Sequence, residues 1–356
     1  MPSDITPEAP IDPELPIVDA HHHLWLLPET ALCAMESPSL GLATAILVPT
    51  LRRRSRYLFE EYLADINSGH NIRASVFVEA HAMYRADGPS QLRSVGEVEF
   101  VNGVAAMSAS GLFGQARVCS GIVSGIDLRA GAPVESVLAA HIQAGGGRLR
   151  GVRGNALFDE DPSILGPAGN IPHLYRDASF REGFSKLSTF KLSFDALLLE
   201  PQLPDLLDLA QAYPETTIIL NHAGCPAGIG RHEGKRAARF PLWKEYMTLL
   251  SRCENIYVKI GGFGIPFAGF ASELTHLPAS SIQLATQWKP YVETCITLFG
   301  PTRCMFESNF PVDAAIGSYS TVWNAFKRLT HGASINEKAA LFSGTATRAY
   351  RLDLAS

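Results

Sequence analysis

The run Val18-Asp19-Ala20-His21-His22-His23-Leu24-Trp25 places two imidazoles two residues apart, directly after a short apolar stretch. On a β-strand, side chains at i and i+2 point to one face, so His21 and His23 can converge on a point while His22 faces away. That geometry suits a metal ion or a reacting oxygen, although a solvated three-histidine loop would have the same sequence. Other polar residues close apolar runs further along: Glu79 and His81, Arg153, Asn221-His222, and Glu307-Ser308-Asn309, with Asp313 four residues past Asn309. Asp195 and Lys259 sit inside two such runs.

The elements that must position these residues alternate. After Ile17–Ala20, strand-like runs cover Ala74–Ala80, Val118–Leu128, Leu149–Arg153, Lys191–Leu198, Thr216–Asn221, Ile256–Ile260 and Cys304–Glu307. Helix-period segments lie between them, among them Tyr57–Asn67, Val134–Ala144, Leu206–Ala212, Leu242–Arg252 and Ile282–Phe299. Strands alternating with helical crossovers predict a parallel sheet. Eight such units read most simply as a distorted α/β barrel of the (β/α)8 TIM type, closed by C-terminal helices at Ser320–Leu329 and Asn336–Arg351. A doubly wound open sheet is the alternative, but no glycine-rich phosphate loop follows the first strand. Residues 1–15 are expected to form a tail, and 16–356 a single barrel domain. In such barrels chemistry sits at the C-terminal strand ends, where the polar residues above fall. Two stretches stay open: Ala43–Val48 is an extra strand or a helix, and the Gly- and Phe-rich Gly261–Ser280 is a mobile lid or an ordered cap.

Composition narrows the class. The 356 residues are 46% hydrophobic and 18% charged, with a net charge of −5, an ordinary globular balance without the basic footprint of a nucleic-acid or anionic-membrane binder. Arg52-Arg53-Arg54 reads as a helix start or a solvated face. Six scattered cysteines form no CxxC pair, against a zinc knuckle or a disulfide framework. The first sixteen residues, rich in Pro and acids, carry no apolar signal-peptide core, and no run is long enough to span a membrane, so a cytoplasmic enzyme of catabolism is expected. Its partner would be a small-molecule substrate, and self-association into a homo-oligomer is open.

Taken together, Asp19-Ala20-His21-His22-His23, Asn221-His222-Ala223-Gly224 and Phe306-Glu307-Ser308-Asn309-Phe310-Pro311-Val312-Asp313 resemble the amidohydrolase superfamily. More narrowly they are similar to the amidohydrolase 2 branch, which holds sugar-acid lactonases and 2-pyrone-4,6-dicarboxylate lactonase. The resemblance runs from about residue 16 to Leu352, and takes in Trp288–Cys295 and Lys338–Leu352. It implies a (β/α)8 hydrolase with the family's histidine roles on His21, His23 and His222. The family usually ends its eighth strand with Asp; here Asn309 stands at that position. A neutral amide cannot take a proton from water, so Asn309 orients substrate or water instead of acting as base. No lysine on the fourth strand is available to bridge two metals, against a binuclear centre.

What remains is His21, His23 and His222, which either hold one zinc ion or donate hydrogen bonds to a developing oxyanion. The base is sought among Asp313, Glu79, Glu307 and His222. The bland alternatives are a helix N-cap for Asp313, an ion-pair partner of Arg153 or Lys259 for Glu79, and an exposed or loop-bracing role for Glu307. Asp19 is expected to orient an imidazole from behind and Asp195 to sit in the barrel's polar layer. Arg153 and Lys259 would bind a substrate carboxylate or pair with Glu79 or Asp195. The expected activity is lactone hydrolysis; the alternatives are a metal-dependent non-oxidative decarboxylase of an aromatic or related acid, and a binding barrel that has lost catalysis.

Overall fold

A computed structural model of the chain describes residues 8–169, 171–274 and 276–354. Eight parallel strands build one sheet: β1 (Ile17–His22), β2 (Ile72–Val78), β3 (Arg117–Gly125), β4 (Leu149–Asn155), β5 (Ser193–Leu197), β6 (Ile218–Leu220), β7 (Ile256–Ile260) and β8 (Cys304–Phe306). Their order in the sheet is their order in the chain. The sheet closes just past β8: His22 bridges Phe310, His23 N donates to Phe310 O (2.8 Å) and Asn309 N donates to His21 O (2.9 Å). The expected (β/α)8 barrel is the observed fold.

Strands in such a barrel are buried on both faces and read as near-continuous apolar runs. β1 and β5 are accordingly buried along their whole length. Early inward residues, including Val18, Ala74, Ile219 and Met305, pack with Ala346, Ala349, Tyr350 and Leu352, so the C-terminal segment plugs the end of the barrel opposite the histidines. Burying each large apolar side chain there is worth about 1.5–3 kcal/mol. A helix follows each strand, and several begin on side-chain caps: Asp177 accepts from Phe180 N (2.8 Å), and Ser280 and Gln283 form a capping box before Ser281–Phe299.

Several expectations change. Ala43–Val48 lies in the helix Gly41–Arg53, and Arg52 and Arg53 close that helix instead of opening one. Cations there suit the negative end of the helix dipole, and Arg52 also pairs with Glu29 (2.7 Å) and Glu36 (2.6 Å). The helices Val95–Ala109 and Ala178–Thr189 were not singled out by periodicity; the first carries valines and glycines that blur its polar face. Residues 8–15 do not trail away: Ile11 N donates to Asn324 Oδ1 (2.8 Å) and Lys327 Nζ to Asp12 O (2.8 Å). Gly261–Phe270 is almost wholly buried, an ordered cap over the strand ends. The helix Gly41–Arg53 joins that cap by packing on the turns Pro266–Ala268 and Val312–Ala315. Among the described residues no single helix is long and apolar enough to cross a membrane, and the six cysteines are unpaired.

Candidate active site

Closure of β8 against β1 turns Glu307 inward. Its Oε1 lies 2.6 Å from His222 Nδ1 and its Oε2 lies 2.9 Å from His21 Nδ1, with all three side chains buried. His222 reaches this point because the backbone after β6 turns left-handed at His222 (φ 54°) and Ala223 (φ 52°). Trp243 Nε1 donates to Ala223 O (2.9 Å) and holds the turn from behind. Gly262 lies against the ring: a Cβ built there would stand 2.0 Å from His222 Nδ1, and its φ of +63° disfavours any side chain.

The ligand-capable atoms of His21, His222 and Glu307 lie within 4.8 Å of one another. His23 is outside this group, and Glu307, sought as a base or as an exposed or loop-bracing residue, is inside it. His23 stays close, with its Nε2 3.2 Å from His21 Nε2 and its Nδ1 donating to Val78 O (2.8 Å). Burial, with the positive charge of Lys259 nearby, holds His21 well below the ordinary imidazole range. Burial and Arg153 bring His23 to about 3. Both rings are therefore neutral at physiological pH, the state a metal ligand or a neutral hydrogen-bonding group needs.

The rest of β1 behaves differently from an ideal strand, because its register against β2 shifts between Asp19 and His22. Among the described residues no imidazole ring nitrogen hydrogen-bonds to Asp19, which accepts from the His21 backbone N (3.3 Å). It accepts from Ser308 N (2.9 Å), Ser308 Oγ (2.7 Å), Tyr62 OH (2.9 Å) and Tyr319 OH (3.0 Å), and so fixes the loop that carries Glu307 and Asn309. Burial raises its carboxyl against those hydrogen bonds. His22 faces away, as expected, stacked on Tyr62 at 4.0 Å.

The cations are spoken for. Lys259 Nζ donates to Asp195 Oδ1 (2.8 Å) inside the barrel and lies 3.3 Å from His21 Nδ1, so it lies beneath the histidines with no exposed surface. Asp195 also accepts from Asn221 Nδ2 (3.0 Å) and Tyr350 OH (2.8 Å); Tyr350 lies in the family-like segment Lys338–Leu352 without being singled out by it, and no sequence motif marks Trp243. Arg153 Nε donates to Glu79 Oε1 (2.7 Å). Burial alone would raise the Glu79 carboxyl, but Arg153 with nearby imidazoles brings it down to about 2. A cleft of ≈ 380 Å³ opens beside this pair, with His81, Tyr84 and Arg129 in its wall. Arg129 in turn pairs with Asp127 (2.6 Å).

Asn309 and Asp313 form a second buried pair. Asn309 Nδ2 donates to Asp313 Oδ1 (2.7 Å) and Gly264 N to Asp313 Oδ2 (3.1 Å), so Asp313 caps no helix. Burial pushes its carboxyl up to about 8. Buried acceptors at Asn309 Oδ1, Glu79 Oε2 and Glu307 Oε2 have no hydrogen-bond partner.

Comparison with known proteins gives matches along almost the whole chain. The amidohydrolase family model matches residues 18–352. An uncharacterized protein of Sinorhizobium fredii is 32% identical over 344 residues, covering 95% of this chain and 99% of its own length. An L-fucono-1,5-lactonase of Burkholderia multivorans is 25% identical over 341 residues, 94% of this chain and 96% of that one. A crystal structure of an amidohydrolase from Burkholderia multivorans with bound zinc superposes with a TM-score of 0.69 at 24% identity, covering 95% of this chain and 99% of that chain.

Proposed function

We propose that this chain, which belongs to the amidohydrolase family, is a lactonase that opens a neutral, hydroxyl-bearing lactone of the sugar-acid type. The observation that carries the reading is the buried His21–Glu307–His222 arrangement at the C-terminal strand ends, supported by the lactonase relative. Water adds to the ester carbonyl, the ring carbon–oxygen bond breaks, the ring oxygen takes up a proton, and the new carboxylic acid ionises.

Asp313 is the group best matched to accept the proton of water, because a carboxyl near pH 8 is a far stronger base than Glu79 at about 2. Asn309 holds Asp313 through its Nδ2 and leaves its Oδ1 for a hydroxyl of water or substrate. Arg153 and Lys259 are each held by a buried carboxylate, which favours a substrate without a carboxylate of its own. The unfilled buried Asn309 Oδ1 instead favours a ligand that brings an O–H donor. Of the two roles expected for Arg153 and Lys259, this favours the ion pairs with Glu79 and Asp195 over binding a substrate carboxylate.

The donor set fits one divalent cation. Glu307 Oε2 is buried without a hydrogen bond, and His21 Nδ1 cannot both donate to it and accept from Lys259. His21, His222 and Glu307 would hold the ion, with two nitrogens and a carboxylate of the kind zinc takes. When bound, the ion supplies Lewis acidity toward the carbonyl.

The test is a substrate panel read by two products: neutral sugar-acid lactones, carboxylated lactones and hydroxybenzoates, with acid release and carbon dioxide followed together. Acid release from the neutral lactones alone is expected. Carbon dioxide from a hydroxybenzoate would establish the decarboxylase reading in its place, and binding without turnover across the panel would leave a non-catalytic barrel.

A further inference from the structure

Resting on the lactonase reading, hydrolysis at neutral pH releases one proton per turnover. Water supplies two protons, of which the opened ring oxygen keeps one and the ionising product acid sheds the other. That proton starts among groups that are almost completely buried: His21, His222, Glu307 and Asp313 are at most 1% exposed. A path to solvent is therefore part of the chemistry, and imidazole is the side chain whose ordinary titration range suits a carrier at neutral pH.

One imidazole stands where such a path would surface. His81 lies three residues past the end of β2 on the wall of the cleft, with its side chain 71% exposed. Its inner nitrogen Nε2 is 3.4 Å from Glu79 Oε2, the carboxylate oxygen that has no hydrogen bond. Its outer nitrogen Nδ1 is 3.1 Å from Tyr84 OH. Glu79 follows Val78, whose carbonyl holds His23, and His23 Nε2 is 3.2 Å from His21 Nε2. The backbone at His81 is left-handed (φ 56°), a conformation that non-glycine residues rarely adopt and that directs the ring at Glu79. Glu97 accepts from Ala80 N (3.0 Å) and Ala82 N (2.7 Å) and holds that turn. The other charged groups facing the ring's cleft are Arg153, Arg129 and Asp127.

We infer that Glu79 and His81 form the proton exit of this site. Glu79 Oε2 receives the product proton at the inner end and passes it to His81 Nε2; His81 gives up its Nδ1 proton to solvent or across Tyr84 and returns to neutral. The first step moves the proton from a product oxygen to a carboxylate oxygen and the second from that oxygen to a ring nitrogen; exchange of the exposed ring's protons with water then frees Nε2 for the next turnover, and no other reactant is needed. Arg153 keeps Glu79 ionised between turnovers, so the inner acceptor is always ready.

The experiment is steady-state lactone hydrolysis by the wild type and His81→Gln in dilute, non-transferring buffer, repeated with increasing imidazole. Glutamine keeps the polarity and the exposure, and a thermal melt matching the wild type's checks that the left-handed turn at His81 survives. The expected result is a kcat lowered about tenfold or more, an unchanged KM, and a saturable return of kcat with imidazole that the wild type does not show. A His81→Gln enzyme with wild-type kcat in dilute buffer would overturn the proton exit. So would a loss that imidazole does not restore, or one confined to KM, which would make His81 a substrate contact. A wild type that opens no lactone would instead overturn the lactonase reading on which the exit rests, before any variant is compared.

Discussion

At the scale of single residues, the site depends on burial setting proton affinities in opposite directions. The neutral imidazoles lose their positive form to desolvation, while Asp313 loses its negative form and rises to about 8. If Asp313 is the base, kcat/KM should rise with pH along a limb near 8. Asp313→Asn should flatten that limb and lower kcat by roughly 10²–10⁴-fold. The sign for stability is the reverse. A carboxyl raised in the folded state binds its proton more tightly there than in the unfolded chain. Its contribution is thus full below about pH 4 and lost as pH rises toward 8. Thermal melts should therefore show the wild type losing stability across that window relative to Asp313→Asn; parallel curves would remove Asp313 from the argument. Much of this residue set could be read from the chain, because His21, His23 and His222 announce themselves by spacing and by their place after apolar runs. Glu307 was undervalued for a physical reason. A carboxylate one residue past a three-residue strand looks solvent-exposed until the barrel closes and turns it inward.

At the scale of elements, loops rather than strands decide the geometry. All eight strands were legible because doubly buried strands leave uninterrupted apolar runs, and Ile256–Ile260 has the same limits in sequence and structure. The strand β2 ends at Val78 instead of Ala80: Glu79 N still donates to Val123 O (2.9 Å), while its carbonyl and its carboxylate both accept from Arg153 (2.7 Å each). Contacts between loops were not legible, because they join residues far apart in the chain: Gly262 on His222, Gly264 on Asp313, Trp243 on Ala223. The first of these gives a sharp test. Gly262→Ala introduces a Cβ into the His222 ring and a side chain at positive φ. It should cost more than about 1 kcal/mol of stability and lower kcat by roughly 100-fold through displacement of the ring. Chemical denaturation and kinetics on the same preparation check both, and a fully active Gly262→Ala enzyme would show that the loop does not hold the ring.

At the scale of the molecule, the barrel separates stability from chemistry. The C-terminal segment seals one end through Tyr350 and Leu352, Lys259 and Asp195 form a polar layer in the middle, and the histidines and carboxylates occupy the other end. The Tyr350 hydroxyl on Asp195, Asp195 on Lys259, and Lys259 beside His21 link the plug to the site. The cap of Gly41–Arg53 and Gly261–Phe270 covers the strand ends, and a cleft opens beside Glu79 and Arg153. The central claim is that His21, His222 and Glu307 are one cation-dependent hydrolytic centre. Its most direct test is elemental analysis of protein purified without added metal, paired with neutral-lactone hydrolysis before and after chelation. About one divalent ion per chain is expected, with acid release lost on chelation and regained on adding metal. Full lactone hydrolysis by metal-free protein would contradict the claim, and would leave these three side chains as hydrogen-bonding groups alone.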